Sequence, residues 1–184
     1  MPHYLFYSHD AVGLGHTRRS TRLATAVLAG DPDATATLAS GTTANPGWLR
    51  ETDRFTIRRI PALVKAPDGG HVNTDMTFDD AIAERTRTVT DLIEHERPDA
   101  VVVDRHPYGT RGELRGPLTT AKADGALLVL GLRDVLDEEE GPIRDELTGP
   151  RWAGATELFD EVLVYGSPAL LDHHVVDRGA DGGR

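Results

Sequence analysis

Tyr4–Arg19, YLFYSHDAVGLGHTRR, decides the fold: an apolar run breaks into a glycine-spaced loop that ends on a histidine and two arginines. The pattern reads as a strand, a tight turn and a helix start. Gly13 and Gly15 remove Cβ atoms where the backbone turns and a ligand can approach. The helix opening near His16 presents backbone N–H groups and a partial positive charge, the ingredients of an anion or sugar-phosphate pocket.

Outward from this junction, short apolar strands alternate with helical patterns, which predicts an α/β fold with a parallel sheet of about six strands and helices on both faces. The first strand is Tyr4–Tyr7. Leu23, Ala26 and Val27 form the apolar stripe of a helix over Thr17–Ala29, stopped by Gly30, Asp31 and Pro32. Further strands are expected at Ala34–Ala39, Phe55–Ile60, Ala100–Val103, Ala126–Leu132 and Val162–Tyr165, and a short helix at Thr43–Arg50 with Pro46 near its first turn. The Gly-, Asp- and Pro-rich segment Ala62–Asp75 reads as a long loop able to close over a ligand around Gly69-Gly70-His71. Phe78, Ile82, Val89, Leu92 and Ile93 mark a helix over Thr77–Glu96, and Pro98 prevents its continuation. Helices are also expected at Glu113–Ala123, Asp137–Leu147 and Trp152–Phe159. Residues 173–184 are expected to form a flexible tail beyond one domain spanning 1–172.

The 184 residues are 39% hydrophobic and 27% charged, the composition of a folded domain. The net charge of -10, with dispersed basic residues, argues against a nucleic-acid partner. The absence of cysteine excludes disulfides, thiolate metal sites and a cysteine nucleophile. No basic leader opens the chain and no run approaches the roughly 18 apolar residues of a membrane span, so a cytoplasmic location is expected.

In an open parallel sheet, ligands bind beyond the carboxyl ends of the strands, where the strand order reverses. The distinctive polar residues fall there. His9, Asp10 and the loop from Gly13 to Arg19 follow strand one; Asp104, Arg105, His106 and Gly109 follow the Val101 strand; Arg133 and Asp134 follow the Leu128 strand. A nicotinamide site fits poorly, because Arg18 stands where a third glycine belongs and the second strand ends at Ser40-Gly41 without an acidic ribose ligand. No GK[ST] follows the loop, and Ser8 is not in a nucleophile elbow. Nor does an HExxH or paired-carboxylate motif support a metal, and no cofactor is expected.

The loop GLGHTRR resembles the glycine-rich acceptor loop of GT-B glycosyltransferases, including the family that adds N-acetylglucosamine to the peptidoglycan lipid precursor. A bacterial family of glycosyltransferases carries four blocks in the same order and at similar spacing: FYSHDAVGLGHTRRSTRLA, DAVVVDRHPYGTRGEL, LVLGLRDVLD and DEVLVYGSPALLD. The likeness runs from Tyr4 to about Asp172. It implies one half of a GT-B architecture, the N-terminal Rossmann-like domain that holds the sugar acceptor. The nucleotide-sugar donor would be held by a C-terminal domain that has no counterpart here. The chain would then be a fragment or truncated product, or a separate polypeptide would supply the donor half; both stay open, and catalysis by the chain alone is not expected. Apolar surface that would face the missing half, near the strand ends and Leu170-Leu171, favours self-association.

An inverting transfer needs a base at the acceptor hydroxyl and positive charge at the leaving diphosphate. His16 is the candidate base, with Asp104 or Asp134 orienting it or positioning the acceptor. Gly13, Gly15, Arg18, Arg19, His106 and Arg133 are candidate ligand-binding residues. Glu113 and Arg111 line the same mouth or cap the following helix, and capping is favoured for Glu113. The alternatives are half of a sugar-nucleotide 2-epimerase, or a non-catalytic sugar- or phosphate-binding module.

Overall fold

A computed structural model of the protein describes residues 1–8, 14–65, 71–73, 75–133 and 149–166. His9, Asp10, Gly13, Gly69-Gly70, Asp134, the expected helix at Asp137–Leu147, Leu170-Leu171 and the expected tail lie outside them. The elements are β1 (His3–Ser8), α1 (Gly15–Gly30), β2 (Thr35–Ser40), β3 (Phe55–Arg59), β4 (Val64–Lys65), β5 (His71–Val72), α2 (Phe78–Glu96), β6 (Ala100–Asp104), α3 (Arg115–Ala123), β7 (Leu127–Arg133) and β8 (Glu161–Tyr165).

Six strands form one sheet in the order β3-β2-β1-β6-β7-β8. Every neighbouring pair is parallel, with Tyr4 opposite both Ala36 and Ala100. This is the doubly wound, Rossmann-like α/β arrangement: the chain winds outward from β1 to β3, then crosses to the other side of β1 and continues through β6, β7 and β8. Period-two alternation sorts the side chains. Leu5, Tyr7, Val101, Val103, Leu128 and Leu130 face α2 and α3, burying Val89, Leu92, Ile93, Leu114 and Leu118. Phe6, Leu38, Val102 and Val129 face the other way, with Ala24 of α1 and its neighbours Leu23 and Val27. Helices therefore cover both faces. β8 is an edge strand whose Val162, Leu163 and Val164 are exposed. No described helix is long and apolar enough to cross a membrane.

Local chemistry sets the helix ends. Thr77 caps α2 by accepting the Asp80 N–H at 3.1 Å, Asp79 and Asp80 occupy the first turn, and Arg97 ends the helix in the left-handed region just before Pro98. The buried stripe of α2 is Ala81, Arg85, Val89, Leu92 and Ile93, while Phe78 and Ile82 are only half-buried. The expected Val89, Leu92 and Ile93 are buried, and toward the amino end of the helix Ala81 and Arg85 take the buried positions.

Three expectations are corrected. Thr43–Arg50 is not helical, and side chains engage the backbone where the helix would begin. The Arg59 guanidinium donates to the Thr42 and Ala44 carbonyls at 2.6 and 3.3 Å, and the Thr42 hydroxyl accepts the Ala44 N–H. Only a turn closed by Leu49 N–H on the Pro46 carbonyl remains. Trp152–Phe159 is interrupted by Gly154 at φ 81°, leaving a 3-10 turn at Pro150–Trp152 and one helical turn at Ala155–Leu158. Ala62–Asp75 is not all loop, since β4 and β5 pair antiparallel, Val64 opposite Val72.

Candidate functional site

The strand order reverses between β1 and β6, and the crevice beyond their carboxyl ends is where a ligand enters a sheet of this kind. β1 ends at Ser8 and α1 begins at Gly15, so His16 sits in the first helical turn on one side of the crevice. β6 ends at Asp104, whose side chain is 1% exposed, on the other. His16 Nδ1 lies 2.9 Å from Asp104 Oδ2. A carboxylate only accepts, so Nδ1 carries the shared proton and the opposite nitrogen, Nε2, is the basic one when the ring is neutral.

Arg19, one turn along α1, donates from Nη1 to Asp104 Oδ1 and Oδ2 at 2.8 and 3.2 Å. Its guanidinium lies over the Tyr165 ring, 4.8 Å from the centroid. That ring covers Gly131 of β7 so closely that a Cβ there would fall 1.7 Å from the phenolic oxygen. Burial and the Asp104 carboxylate raise the Tyr165 pKa, and its hydroxyl has no hydrogen-bond partner among the described residues. Below His16, the buried hydroxyls of Ser8, Thr17 and Ser40 form a chain, 3.3 and 2.9 Å apart, that ties the ends of β1, α1 and β2 together.

The β6–α3 loop is braced from behind. Arg85 of α2 pairs with Glu113 at 3.2 Å, both side chains fully buried. Glu113 also accepts the Tyr7 hydroxyl at 2.9 Å and the Thr110 and Arg111 N–H groups at 3.0 and 2.8 Å. Glu113 therefore does not cap α3, which starts at Arg115; it serves the loop before the helix. Gly109, at φ 78°, passes the carboxylate where a Cβ would come within 2.3 Å of Cδ. The loop carries Arg105 in the left-handed conformation, φ 70°, with its N–H on the Gly131 carbonyl at 2.7 Å. His106 follows. Burial first, then the charges of Arg105, His16 and Arg151, push its pKa down to about 4, so it is neutral at pH 7.

The structure thus brings together His16, Arg19 and Asp104, with His106 close enough for His16 to depress its pKa. Arg133 closes β7 at the same end of the sheet. Arg18 does not join the cluster: it is exposed and lies over Trp48, 6.0 Å from the ring centroid. Gly15 is the first residue of α1 with open space around its Cβ position and no positive φ, so the turn does not require a glycine there. Gly13 and Asp134 are outside the described residues. Arg85, Tyr7, Ser40 and Tyr165 were not anticipated. The signal for Arg85 was its place one turn before Val89 on the buried stripe, and for Tyr165 a glycine inside β7, where close approach is the usual reason.

No family model matches the chain, and no curated protein does. Among solved structures, a UGT transferase from Siraitia grosvenorii in complex with UDP aligns over 72% of this chain and 28% of its own, at 14% identity and TM-score 0.45. A protein assigned as a UDP-N-acetylglucosamine 2-epimerase from Listeria monocytogenes aligns over 97% of this chain and 43% of its own, at 12% identity and TM-score 0.49. The chain spans less than half the length of either protein. At these values neither assigns a residue or a ligand to it.

Proposed function

We propose that the chain is the acceptor-side half of a GT-B glycosyltransferase that moves a sugar from a nucleotide-sugar donor to an acceptor hydroxyl. The observation that carries the reading is the His16–Asp104 pair, 2.9 Å apart, at the point where the strand order reverses. Asp104 holds the Nδ1 proton, Nε2 takes the proton of the attacking hydroxyl, and the ion pair left behind is stabilised by the buried carboxylate. The hydroxyl oxygen attacks the anomeric carbon and the nucleoside diphosphate departs with the bonding electrons.

Arg19 grips both oxygens of Asp104 and keeps the carboxylate aimed at His16. Backbone N–H groups after Gly13 and Gly15, at the positive end of α1, hold a phosphate of the donor or acceptor. His106, neutral at pH 7, binds hydroxyls without adding charge. A donor domain, on the same polypeptide or a separate one, completes the enzyme.

The test is transfer from a panel of nucleotide sugars by the protein or complex that unites this chain with a donor domain. His16→Ala is expected to lower the rate about a hundredfold or more, the ordinary worth of a positioned base, and a loss below about tenfold would overturn the assignment. Epimerised nucleotide sugar formed without any acceptor would favour the epimerase alternative.

A further inference from the structure

A second concavity lies one strand away from the His16–Asp104 pair, beyond the ends of β2 and β3. It is a cleft of about 880 Å³. It begins at Gly41, next to Ser40, whose hydroxyl is 2.9 Å from that of Thr17, the neighbour of His16. The two concavities therefore open on the same end of the sheet, with the hydroxyl chain between them. Its far wall is built by Asn73, whose amide donates to the Ala62 carbonyl at 2.6 Å and whose carbonyl accepts the Asp75 and Met76 N–H groups.

The lining has an unusual balance. Arg50 and Arg59 carry positive charge, Glu51 and Asp75 negative charge, and Asn45 adds a neutral amide. Arg59 is held to the Thr42 and Ala44 carbonyls and Glu51 accepts the Ile57 N–H at 2.8 Å, so these two are fixed in place. Arg50, an exposed residue, lines the cleft without a hydrogen bond or ion pair to a described residue. Beside the polar groups stands an apolar strip of Ile60, Pro61 and Met76, of which Met76 is 39% exposed.

Each simple ligand class meets an obstacle here. An anion faces Glu51 and Asp75, a cation faces Arg50 and Arg59, and a wholly apolar body strips water from all four without replacing their hydrogen bonds. A neutral, polyhydroxylated body with one apolar face meets none of these. Its hydroxyls donate to the carboxylates and accept from the guanidinium groups, while its C–H face packs on the apolar strip. We infer that this cleft is a saccharide-binding site, and that the acceptor of the transfer is itself a carbohydrate. The second half of the inference rests on the glycosyltransferase reading; the first does not.

The experiment is saturation-transfer NMR of the protein against methyl glycosides of the common hexoses, methyl N-acetylglucosaminide, cellobiose and maltose. 1-Naphthyl phosphate and 1-naphthylmethylamine serve as charged comparisons. At least one saccharide is expected to bind with a Kd of about millimolar. Arg50→Ala and Asn45→Ala, both of exposed residues, are each expected to weaken it about tenfold or more, the cost of losing one or two good hydrogen bonds, with the protein's melting temperature unchanged. His16→Ala should leave binding intact. The inference is overturned if no saccharide binds at about 10 mM, an order of magnitude above the expected Kd, if a naphthyl compound takes the cleft instead, or if neither substitution weakens saccharide binding. Saccharide binding without transfer in the complete enzyme would sink the glycosyltransferase reading and leave the site. His16-dependent transfer to a non-carbohydrate would do the reverse.

Discussion

Replacing Arg85 by methionine should be among the most damaging single changes in this domain that leave the helix propensity of α2 intact. The guanidinium stands 3.2 Å from Glu113 with neither side chain exposed. At that separation, Coulomb attraction amounts to about 5 kcal/mol even at the effective dielectric of 20 that best describes proteins. Methionine fills much of the same volume but leaves a buried carboxylate supported, among the described residues, by the Tyr7 hydroxyl and two backbone N–H groups. Removing one partner of a buried pair ordinarily costs about 3–5 kcal/mol, because the surviving charge is uncompensated. For a domain of this size that corresponds to a fall in Tm of roughly 6–20 °C. Urea unfolding followed by circular dichroism measures it directly, with a shift of the midpoint at constant slope. The double variant Arg85→Met with Glu113→Gln removes the orphaned charge while keeping an acceptor for the loop, and should be more stable than Arg85→Met alone. A loss below about 1 kcal/mol in the single variant, or a double variant as unstable as the sum of the two singles, would refute the claim that this ion pair braces the loop.

Two further outcomes follow from the same region. His106 has a folded pKa of about 4 against an ordinary 6.5, so the unfolded chain binds a proton in this interval that the folded chain refuses. Stability present above pH 6.5 should therefore fall as the pH drops towards 4, by about 3 kcal/mol for a shift of this size. His106→Gln should flatten that limb in urea midpoints taken at several pH values, and parallel curves for the two proteins would contradict it. Gly131→Ala pushes a methyl group into the Tyr165 hydroxyl, and should cost about 1–3 kcal/mol as an overpacking change. Combining it with Tyr165→Ala should relieve most of that, whereas additive losses in thermal unfolding would show that the ring does not occupy that space.

The alternation that defines the sheet was legible from residues alone. AVVVD at β6 and YLFY within β1 are short apolar runs flanked by turn or helix signals, and both became central parallel strands. The convergence of the His16 loop and Asp104 was legible too, because both follow strands of a doubly wound sheet, and ligand-facing residues gather at such ends. What could not be read was side-chain competition across distance. Thr43–Arg50 reads as a short helix, but Arg59 in β3 holds the Thr42 and Ala44 carbonyls at its start. Glu113 reads as a cap of the following helix, yet besides the Thr110 and Arg111 N–H groups of the loop it meets Arg85 and Tyr7, 28 and 106 residues away. Periodicity along α2 marks Phe78 and Ile82 with Val89, Leu92 and Ile93, but those two are only half-buried, while Arg85 is buried because a buried acid meets it. Arg19, read as a ligand contact, is held by Asp104 for the same reason.

His16 and Asp104 are separated by 88 positions in the chain, and no local contact can bring them together. During synthesis, the amino-terminal β1–α1 unit emerges long before β6, and the partner of its histidine arrives only when the crossover through α2 is complete. Closing so wide a loop is entropically expensive and slow relative to helix formation, so the dyad is assembled in the same event that inserts β6 beside β1. A nascent or clipped chain that stops short of Asp104 would carry the histidine without its carboxylate, and a chemistry that needs both would be silent until the sheet is whole.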